Sequence, residues 1–324
     1  MPLLRFLAEK GELTIWYREE PWIEPLIELF NLKCSIFKGN EVKNQEHEFD
    51  LVFLPFDSSP VEFEKILKKV RADKVIQHIP PRKGKRYYLN RILTRRQWIR
   101  ILNGRHETEL NLDLAREIFG SIPMPSPHPT LISRKIDTLF YNSYIVIQPG
   151  AANGLMQAKT WPPEHFSDLI YKFNALYPNY QIYLVGDSGD EKSLKHFLKR
   201  WETLPIQNLL GKTDFTMLSS ILKHARLVIS HDSGIMHLAN SLNVPLLALY
   251  GPTDEERTGP IGEKSHLIFS KHETRRAMGG FKTTERELSL KYPDNACMRD
   301  LLPDTVLTKI EDLLKRYNEQ SSRL

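Results

Sequence analysis

Residues 228–252 constrain the fold of this chain more than any other segment. An apolar run at 227–229 leads into the turn Asp232-Ser233-Gly234, and a second apolar run at 244–249 ends at Gly251-Pro252. Two apolar strands joined through a short helix form a parallel βαβ unit, whose polar turn lies at the carboxyl end of the first strand. The small residues of the turn leave backbone amides free at the start of the helix. The segment therefore predicts a parallel sheet with an anion site at its edge.

Alternating strands and helices are predicted over the rest of the C-terminal part. Apolar runs predict strands at 144–148, 181–185 and 206–210, with helices at 163–177, 190–201 and 214–224. The strands are apolar throughout, which indicates a parallel sheet covered on both faces. A last amphipathic helix is predicted at 303–317, with Val306, Ile310, Leu313 and Leu314 at helical spacing.

The N-terminal part shows the same alternation more weakly. Its pattern predicts a helix that includes residues 3–7, a strand at 13–17, a helix at 23–30 and a strand at 50–54. Both parts therefore belong to the α/β class.

A cluster of prolines marks the expected domain boundary. Pro123, Pro125, Pro127 and Pro129 exclude regular helix there. A chain of 324 residues with 41% hydrophobic content can build two cores. We predict domains at 1–130 and 131–324, with the last helix in a position to pack back on the first domain.

Composition narrows the class of protein. The sequence has neither a signal peptide nor an apolar run of the roughly 18 to 20 residues that a membrane span requires. Cys34 and Cys297 lie far apart in sequence and fit neither a disulfide framework nor a closely spaced metal site. We therefore expect a cytoplasmic protein.

The net charge of +5 comes partly from basic clusters at 82–86 and at Arg95, Arg96 and Arg100. Such clusters either are solvated surface or face an anionic membrane or an acidic substrate. Nucleic acid is not an expected partner, because the clusters lack a recognisable reading motif.

Three loops at predicted strand ends contain the candidate site residues. The first contains Gln148-Pro149-Gly150 and is followed by Lys159 and Thr160, just before a helix with early prolines. A cation and free amides at a strand end suit an anion, but an ordinary helix entry with a surface lysine gives the same pattern.

The second loop contains Asp190 and Glu191. Carboxylates there either accept hydrogen bonds from ribose hydroxyls or serve as cap and first-turn acids of the next helix. The third is the turn from Asp232 to His237, where Ser233 caps the helix, Gly234 lets a phosphate approach, and His237 reaches the same anion or is structural. Met236 and Leu238 are predicted core residues.

The three loops are expected to lie close together, because parallel strands bring their carboxyl ends to one edge of the sheet, where such folds bind ligands. This expectation favours the functional interpretation. The chain has no G-x-G-x-x-G fingerprint, no P-loop and no D-x-D pair for a metal diphosphate. We therefore expect no redox cofactor and no metal.

These motifs resemble glycosyltransferase family 9, the lipopolysaccharide heptosyltransferases. The resemblance covers residues 144–255 and rests on Gln148-Pro149-Gly150-Ala151 with Lys159-Thr160-Trp161-Pro162, on 232–239, and on 250–254; Cys297-Met298-Arg299-Asp300 resembles the family's ending. It implies the GT-B fold, in which two Rossmann-like doubly wound domains face a cleft.

The resemblance also implies an activity. The expected reaction is an inverting, metal-independent transfer of heptose from a nucleoside-diphosphate sugar, ADP-heptose, to an inner-core lipopolysaccharide acceptor. Lys159 would neutralise the diphosphate, Asp190 or Glu191 would hold the ribose, and Asp232, Ser233 and Gly234 would bind diphosphate and sugar. His237 would assist the leaving group. The acceptor implies peripheral contact with the inner face of the inner membrane.

The amino end departs from the family pattern. Family members begin with a strand and a Gly-Asp loop, whose aspartate is the expected base, whereas here Met1 is followed at once by Pro2-Leu3-Leu4. Either the natural start lies upstream, or the N-terminal domain lacks its first strand and its usual base. Loss of a general base costs about 10²- to 10⁴-fold in rate. Asp57 is a substitute base or, as the favoured alternative, a loop cap.

Two alternatives to ADP-heptose transfer therefore stay open. One is a catalytically impaired homologue that binds a nucleotide sugar, and the other is a GT-B transferase that uses a different activated sugar.

Overall fold

The computed structural model describes residues 2–17, 22–38, 47–54, 70–79, 96–100, 105–123, 143–150, 157–279, 285–291 and 295–321. Contacts divide the chain into two units, Met1–Ser126 and Pro127–Leu324. The basic cluster at 82–86, Arg95, Asp57, Ala151 and three of the four boundary prolines lie outside the described residues.

In its described residues the first unit combines helices with two small parallel sheets. Its helices are α1 (Pro2–Lys10), α2 (Ile23–Leu29) and α3 (Glu107–Phe119), and its strands are β1 (Thr14–Tyr17), β2 (Ser35–Lys38), β3 (His47–Leu54), β4 (Val70–Ile79) and β5 (Arg96–Arg100). Strand β1 pairs with β2, and β4 lies between β3 and β5. The two predicted helices and the two predicted strands of this part are confirmed.

The core of the first unit lies between α1, α3 and β4. Leu3 and Leu7 of α1 pack with Ile76 of β4 and with Leu112 of α3. Helix α3 begins where the His106 side chain accepts a hydrogen bond from the Thr108 amide at 3.1 Å.

The described part of the second unit contains a six-stranded parallel sheet and helices. Its strands are β6 (Tyr144–Ile147), β7 (Gln181–Leu184), β8 (Ile206–Asn208), β9 (Leu227–His231), β10 (Leu246–Tyr250) and β11 (Ser265–Phe269). The strand order is β11-β10-β9-β6-β7-β8, and every pairing is parallel. The central strands are fully buried, as their continuous apolar sequences predict.

Eight helices of the described residues belong to this unit. They are α4 (Pro163–Leu176), α5 (Ser188–Arg200), α6 (Phe215–His224), α7 (Gly234–Ser241), α8 (Glu255–Thr258), α9 (Glu285–Lys291), α10 (Ala296–Arg299) and α11 (Pro303–Ser321). Helix α11 buries its predicted apolar face, with Val306, Ile310, Leu313 and Leu314 in the core beside α4 and β9. None of the described helices combines the length and the apolar character needed to cross a bilayer.

The strand order decides where the candidate loops meet. Strands β9, β6 and β7 are neighbours, so the loops after them share one edge of the sheet. The α/β class with parallel sheets is confirmed.

Candidate functional site

The turn after β9 presents a helix start with free amides. The Ser233 hydroxyl accepts a hydrogen bond from the Met236 amide at 3.3 Å, which makes Ser233 the N-cap of α7, as predicted. The first two amides of α7, those of Gly234 and Ile235, have no intrahelical acceptor, and none of the described residues supplies another. Gly234 is exposed. This turn can therefore receive an anion.

Lys159 lies against the same turn. It ends a 3₁₀ turn, Gln157–Lys159, and its Nζ is 4.0 Å from Asp232 Oδ2, with both side chains nearly buried at 12% and 11% exposure. Asp232 also accepts hydrogen bonds from the hydroxyls of Tyr250 (3.4 Å) and Thr258 (3.3 Å). The structure thus brings the first and third predicted loops together.

His231 links two of the loops through the hydrogen bonds of its buried ring. Its Nε2 accepts a hydrogen bond from the Trp161 amide at 2.9 Å, so the proton of the neutral ring is on Nδ1, which lies 3.2 Å from the carbonyl oxygen of Gly150. Complete burial lowers the pKa of His231 to about 4. The neutral imidazole therefore connects the Gly150 loop with the chain that follows Lys159.

Gln148 links the ends of β6 and β9. Its Oε1 accepts hydrogen bonds from the hydroxyls of Ser230 and Ser233, the latter at 2.6 Å. Because Ser233 also caps α7, the position of the free amides depends on this buried amide side chain.

Asp190 lies beside Gly150. A Cβ on Gly150 would overlap the Asp190 carboxylate, so only glycine fits there with the present side-chain position. The Asp190 Oδ2 accepts a hydrogen bond from the Asp187 amide at 3.0 Å and completes a capping box at the start of α5. Burial raises the pKa of Asp190. The capping role considered from the sequence is therefore present, and the ribose role stays a prediction.

The other predicted site residues are less closely connected. Glu191 accepts a hydrogen bond from Asn208 at 2.9 Å and pairs with Lys212 at 3.4 Å. The Asn208 hydrogen bond, followed by Lys212, lowers the pKa of Glu191. The carbonyl of Thr160 accepts from the Asn295 side chain at 3.5 Å. His237 is exposed on the first turn of α7. The predicted core residues Met236 and Leu238 are buried.

The C-terminal motif supports the same edge of the sheet. A Cβ on Gly251 would overlap Met298 and press on Cys297, and the Trp161 indole N–H donates to the carbonyl of Leu301 at 2.7 Å. Within the described segments no group of three His, Cys, Asp or Glu side chains is placed to bind a metal ion.

Comparison with known families agrees with this arrangement. Residues 76–290 match the model of glycosyltransferase family 9 (heptosyltransferase), which is well over half of the chain. The chain belongs to this family. The resemblance inferred from the motifs is therefore confirmed.

Individual family members show the extent of the similarity. Lipopolysaccharide heptosyltransferase 2 of Escherichia coli K12 is 30% identical over 169 residues, which are 51% of this chain and 45% of that protein. The chain thus spans about half the length of the curated relatives it matches.

Two solved family structures share the fold. The E. coli ADP-heptose lipopolysaccharide heptosyltransferase II superposes with a TM-score of 0.69 and 19% identity, covering 98% of this chain and 94% of that one. An E. coli heptosyltransferase solved with ADP superposes with a TM-score of 0.65 and 15% identity, covering 96% of this chain and 94% of that one. The expected GT-B fold class is confirmed.

Sequence analysis did not assign roles to His231, Ser230, Gln148, Tyr250 or Thr258. A signal was present for the first two, because Ser230 and His231 extend a buried apolar strand with polar side chains, and buried polar groups require partners. The partners themselves come from distant parts of the chain and had no local signal.

Proposed function

We propose that this family 9 chain transfers a heptose from ADP-heptose to a saccharide of the lipopolysaccharide core, with inversion and without a metal. The observation that supports this most is the 4.0 Å approach of Lys159 Nζ to Asp232 Oδ2. It brings a cation to the turn from which α7 starts, at the edge of the sheet where such folds bind ligands.

The chemistry of the departing group suits these residues. Negative charge on the diphosphate grows as the glycosidic bond breaks, and fixed amides together with a cation stabilise it. We assign the diphosphate to Lys159 and to the amides of Gly234 and Ile235. His237, exposed on the first turn of α7, is the proposed donor to the leaving group.

Asp232 has a different role in the proposal, because a carboxylate repels phosphate oxygens. It holds Lys159 in place and accepts hydrogen bonds from hydroxyls of the transferred sugar. Asp190, beside Gly150, is the proposed partner of the ribose hydroxyls. The general base is left unassigned.

The donor and acceptor come from the relatives. One solved family member is named for ADP-heptose and another was solved with ADP, and the curated relatives are named for lipopolysaccharide. The proposed acceptor implies a location at the cytoplasmic face of the inner membrane. The basic segment 82–86 is the proposed contact with acceptor phosphate or anionic lipid, and its charge reversal should weaken acceptor or vesicle binding more than donor binding.

The direct test is product formation. The full chain is incubated with ADP-heptose and deacylated core oligosaccharide, with EDTA present, and the mass of the acceptor is followed. An increase by one heptose is expected. Binding of ADP-heptose without product would contradict transfer and support the impaired homologue. Faster transfer from UDP-glucose or GDP-mannose would contradict the assigned donor.

A further inference from the structure

A pocket with basic residues in its lining lies at the same edge of the sheet, outside the proposed donor site. It has a volume of about 450 Å³ and begins at Phe269, the last residue of β11. Among the described residues its lining contains no carboxylate and consists of Phe269, Ser270, Lys271, His272, Arg275 and Arg276. None of them has a role in the proposed transfer.

The backbone of this pocket is held in place by Asp300. The Asp300 Oδ2 accepts hydrogen bonds from the Lys271 amide at 2.7 Å and from the Ser270 hydroxyl at 3.2 Å. The Ser270 hydroxyl in turn accepts from the His272 amide at 3.0 Å. Protein hydrogen bonds therefore fix the loop backbone, and such preorganisation lowers the entropic cost of binding.

Arg276 is a structural residue of the pocket. It adopts a left-handed backbone conformation with φ 60°, and its Nε donates to Glu255 Oε1 at 2.9 Å. Burial favours the neutral form of Glu255, but the hydrogen bonds from Arg276 and from the backbone, together with the charge and hydrogen bond of Arg275, lower the pKa of that carboxyl. Glu256 and Glu255 compensate the charge of Arg276, and Glu255 also pairs with Arg275.

Arg275 and Lys271 retain binding capacity. The Arg275 guanidinium lies 4.4 Å from the centroid of the Phe269 ring and uses Nη2 to bond Glu255. Among the described residues, neither Arg275 Nη1 nor Lys271 Nζ has a hydrogen-bond partner. A guanidinium group with several N–H donors beside a lysine ammonium group suits phosphate recognition.

We propose that this pocket binds a phosphate monoester, carried by a sugar or free in solution, at a site separate from that of the donor diphosphate. A phosphate monoester supplies three acceptor oxygens and a charge of about −1.5 to −2. It can therefore accept hydrogen bonds from Lys271 and Arg275 at the same time. The short helix α8 connects the two sites, because Glu255 at its start contacts the arginines and Thr258 at its end contacts Asp232.

The test compares phosphate binding by single variants of the full chain. Inorganic phosphate and glucose 6-phosphate are titrated calorimetrically into protein saturated with ADP, so that the donor site is already filled. Lys271→Gln and Arg275→Gln should each weaken both probes about tenfold, because each removes a charge-assisted hydrogen bond. Lys199→Gln, an exposed lysine of α5, is the matched control and should bind as the wild type does.

The outcomes separate the sources of the phosphate. Tighter binding of glucose 6-phosphate identifies a sugar-borne phosphate, and equal binding identifies free phosphate. Unchanged affinity for both probes in Lys271→Gln overturns the proposal, and so does the absence of phosphate binding in the wild type. Lys271→Gln leaves the Glu255 contacts intact, so thermal unfolding should match the wild type. If ADP does not bind, the proposed function fails, while the comparison of wild type with Lys271→Gln still decides the pocket.

Discussion

The Nε2 atom of His231 lies 2.9 Å from the backbone nitrogen of Trp161, inside a fully buried environment. This hydrogen bond requires an unprotonated Nε2. The chain that leaves Lys159 is thereby fixed to the end of β9, which Asp232 follows directly. A residue without contact to the proposed ligand therefore sets the distance between two residues that would contact it.

Acid should destabilise the second unit through His231. Its pKa is about 4 in the folded protein against 6.5 for an ordinary histidine, so between these pH values the unfolded chain binds more protons than the folded chain. The contribution of neutral His231 to the free energy of unfolding is therefore fully present above pH 6.5. It is lost as the pH drops toward 4, by about 3 kcal/mol in total.

The measurement is urea unfolding of wild type and His231→Gln between pH 7 and 4. Glutamine retains an acceptor for the Trp161 amide but does not titrate. The additional stability that the wild type loses between pH 7 and 4, compared with His231→Gln, is therefore assigned to His231. Parallel curves for the two proteins would contradict the assignment.

Gly150→Ala should destabilise the protein by about 1–3 kcal/mol, because the added Cβ overlaps the Asp190 carboxylate. Chemical denaturation measures this change. Gly11→Ala, whose Cβ would meet no atom within 4 Å, is the control and should be nearly neutral.

A double-mutant cycle tests the same contact. Adding Asp190→Ala to Gly150→Ala removes the overlap, so the double variant should lose less stability than the sum of the single variants. Strict additivity would show that the two residues do not touch.

Trp161→Phe should cost about 1 kcal/mol more than Trp201→Phe. Both indoles are buried, but Trp161 donates to a fixed carbonyl, that of Leu301, whereas Trp201 donates to the hydroxyl of Ser167 at 3.2 Å. A hydroxyl can rotate to another partner and a buried carbonyl cannot. If thermal or chemical unfolding shows equal losses of stability in the two variants, the contact with Leu301 contributes no more than the contact with Ser167.

Much of the second unit could be predicted from its sequence. Its central strands are short, largely apolar runs between helices, and such runs have few alternatives to a buried parallel sheet. The edge strand β11, which is only partly buried, was missed. Helix α5 starts at Ser188 and not at residue 190, because Asp187 is the cap and Asp190 completes the capping box. The adjacency of β6, β7 and β9 then places Lys159 and Asp232 at one edge.

The first unit was harder to predict, and β2, β4, β5 and helix α3 were missed. Strand β4 contains Arg71, Asp73 and Lys74, so it does not show the apolar run that marks a central strand. The roles of His231 and Gln148 were missed for another reason. Each depends on partners that are distant in sequence, which only the strand order brings into contact.

We propose that Lys159 and the turn after β9 form one diphosphate site. The most direct measurement is a calorimetric titration of ADP into the wild type, Lys159→Gln and the control Lys199→Gln. We predict that wild type and control bind alike and that Lys159→Gln binds about ten- to a hundredfold more weakly, because it loses one charge-assisted interaction. Unchanged affinity in a folded Lys159→Gln variant would contradict the claim.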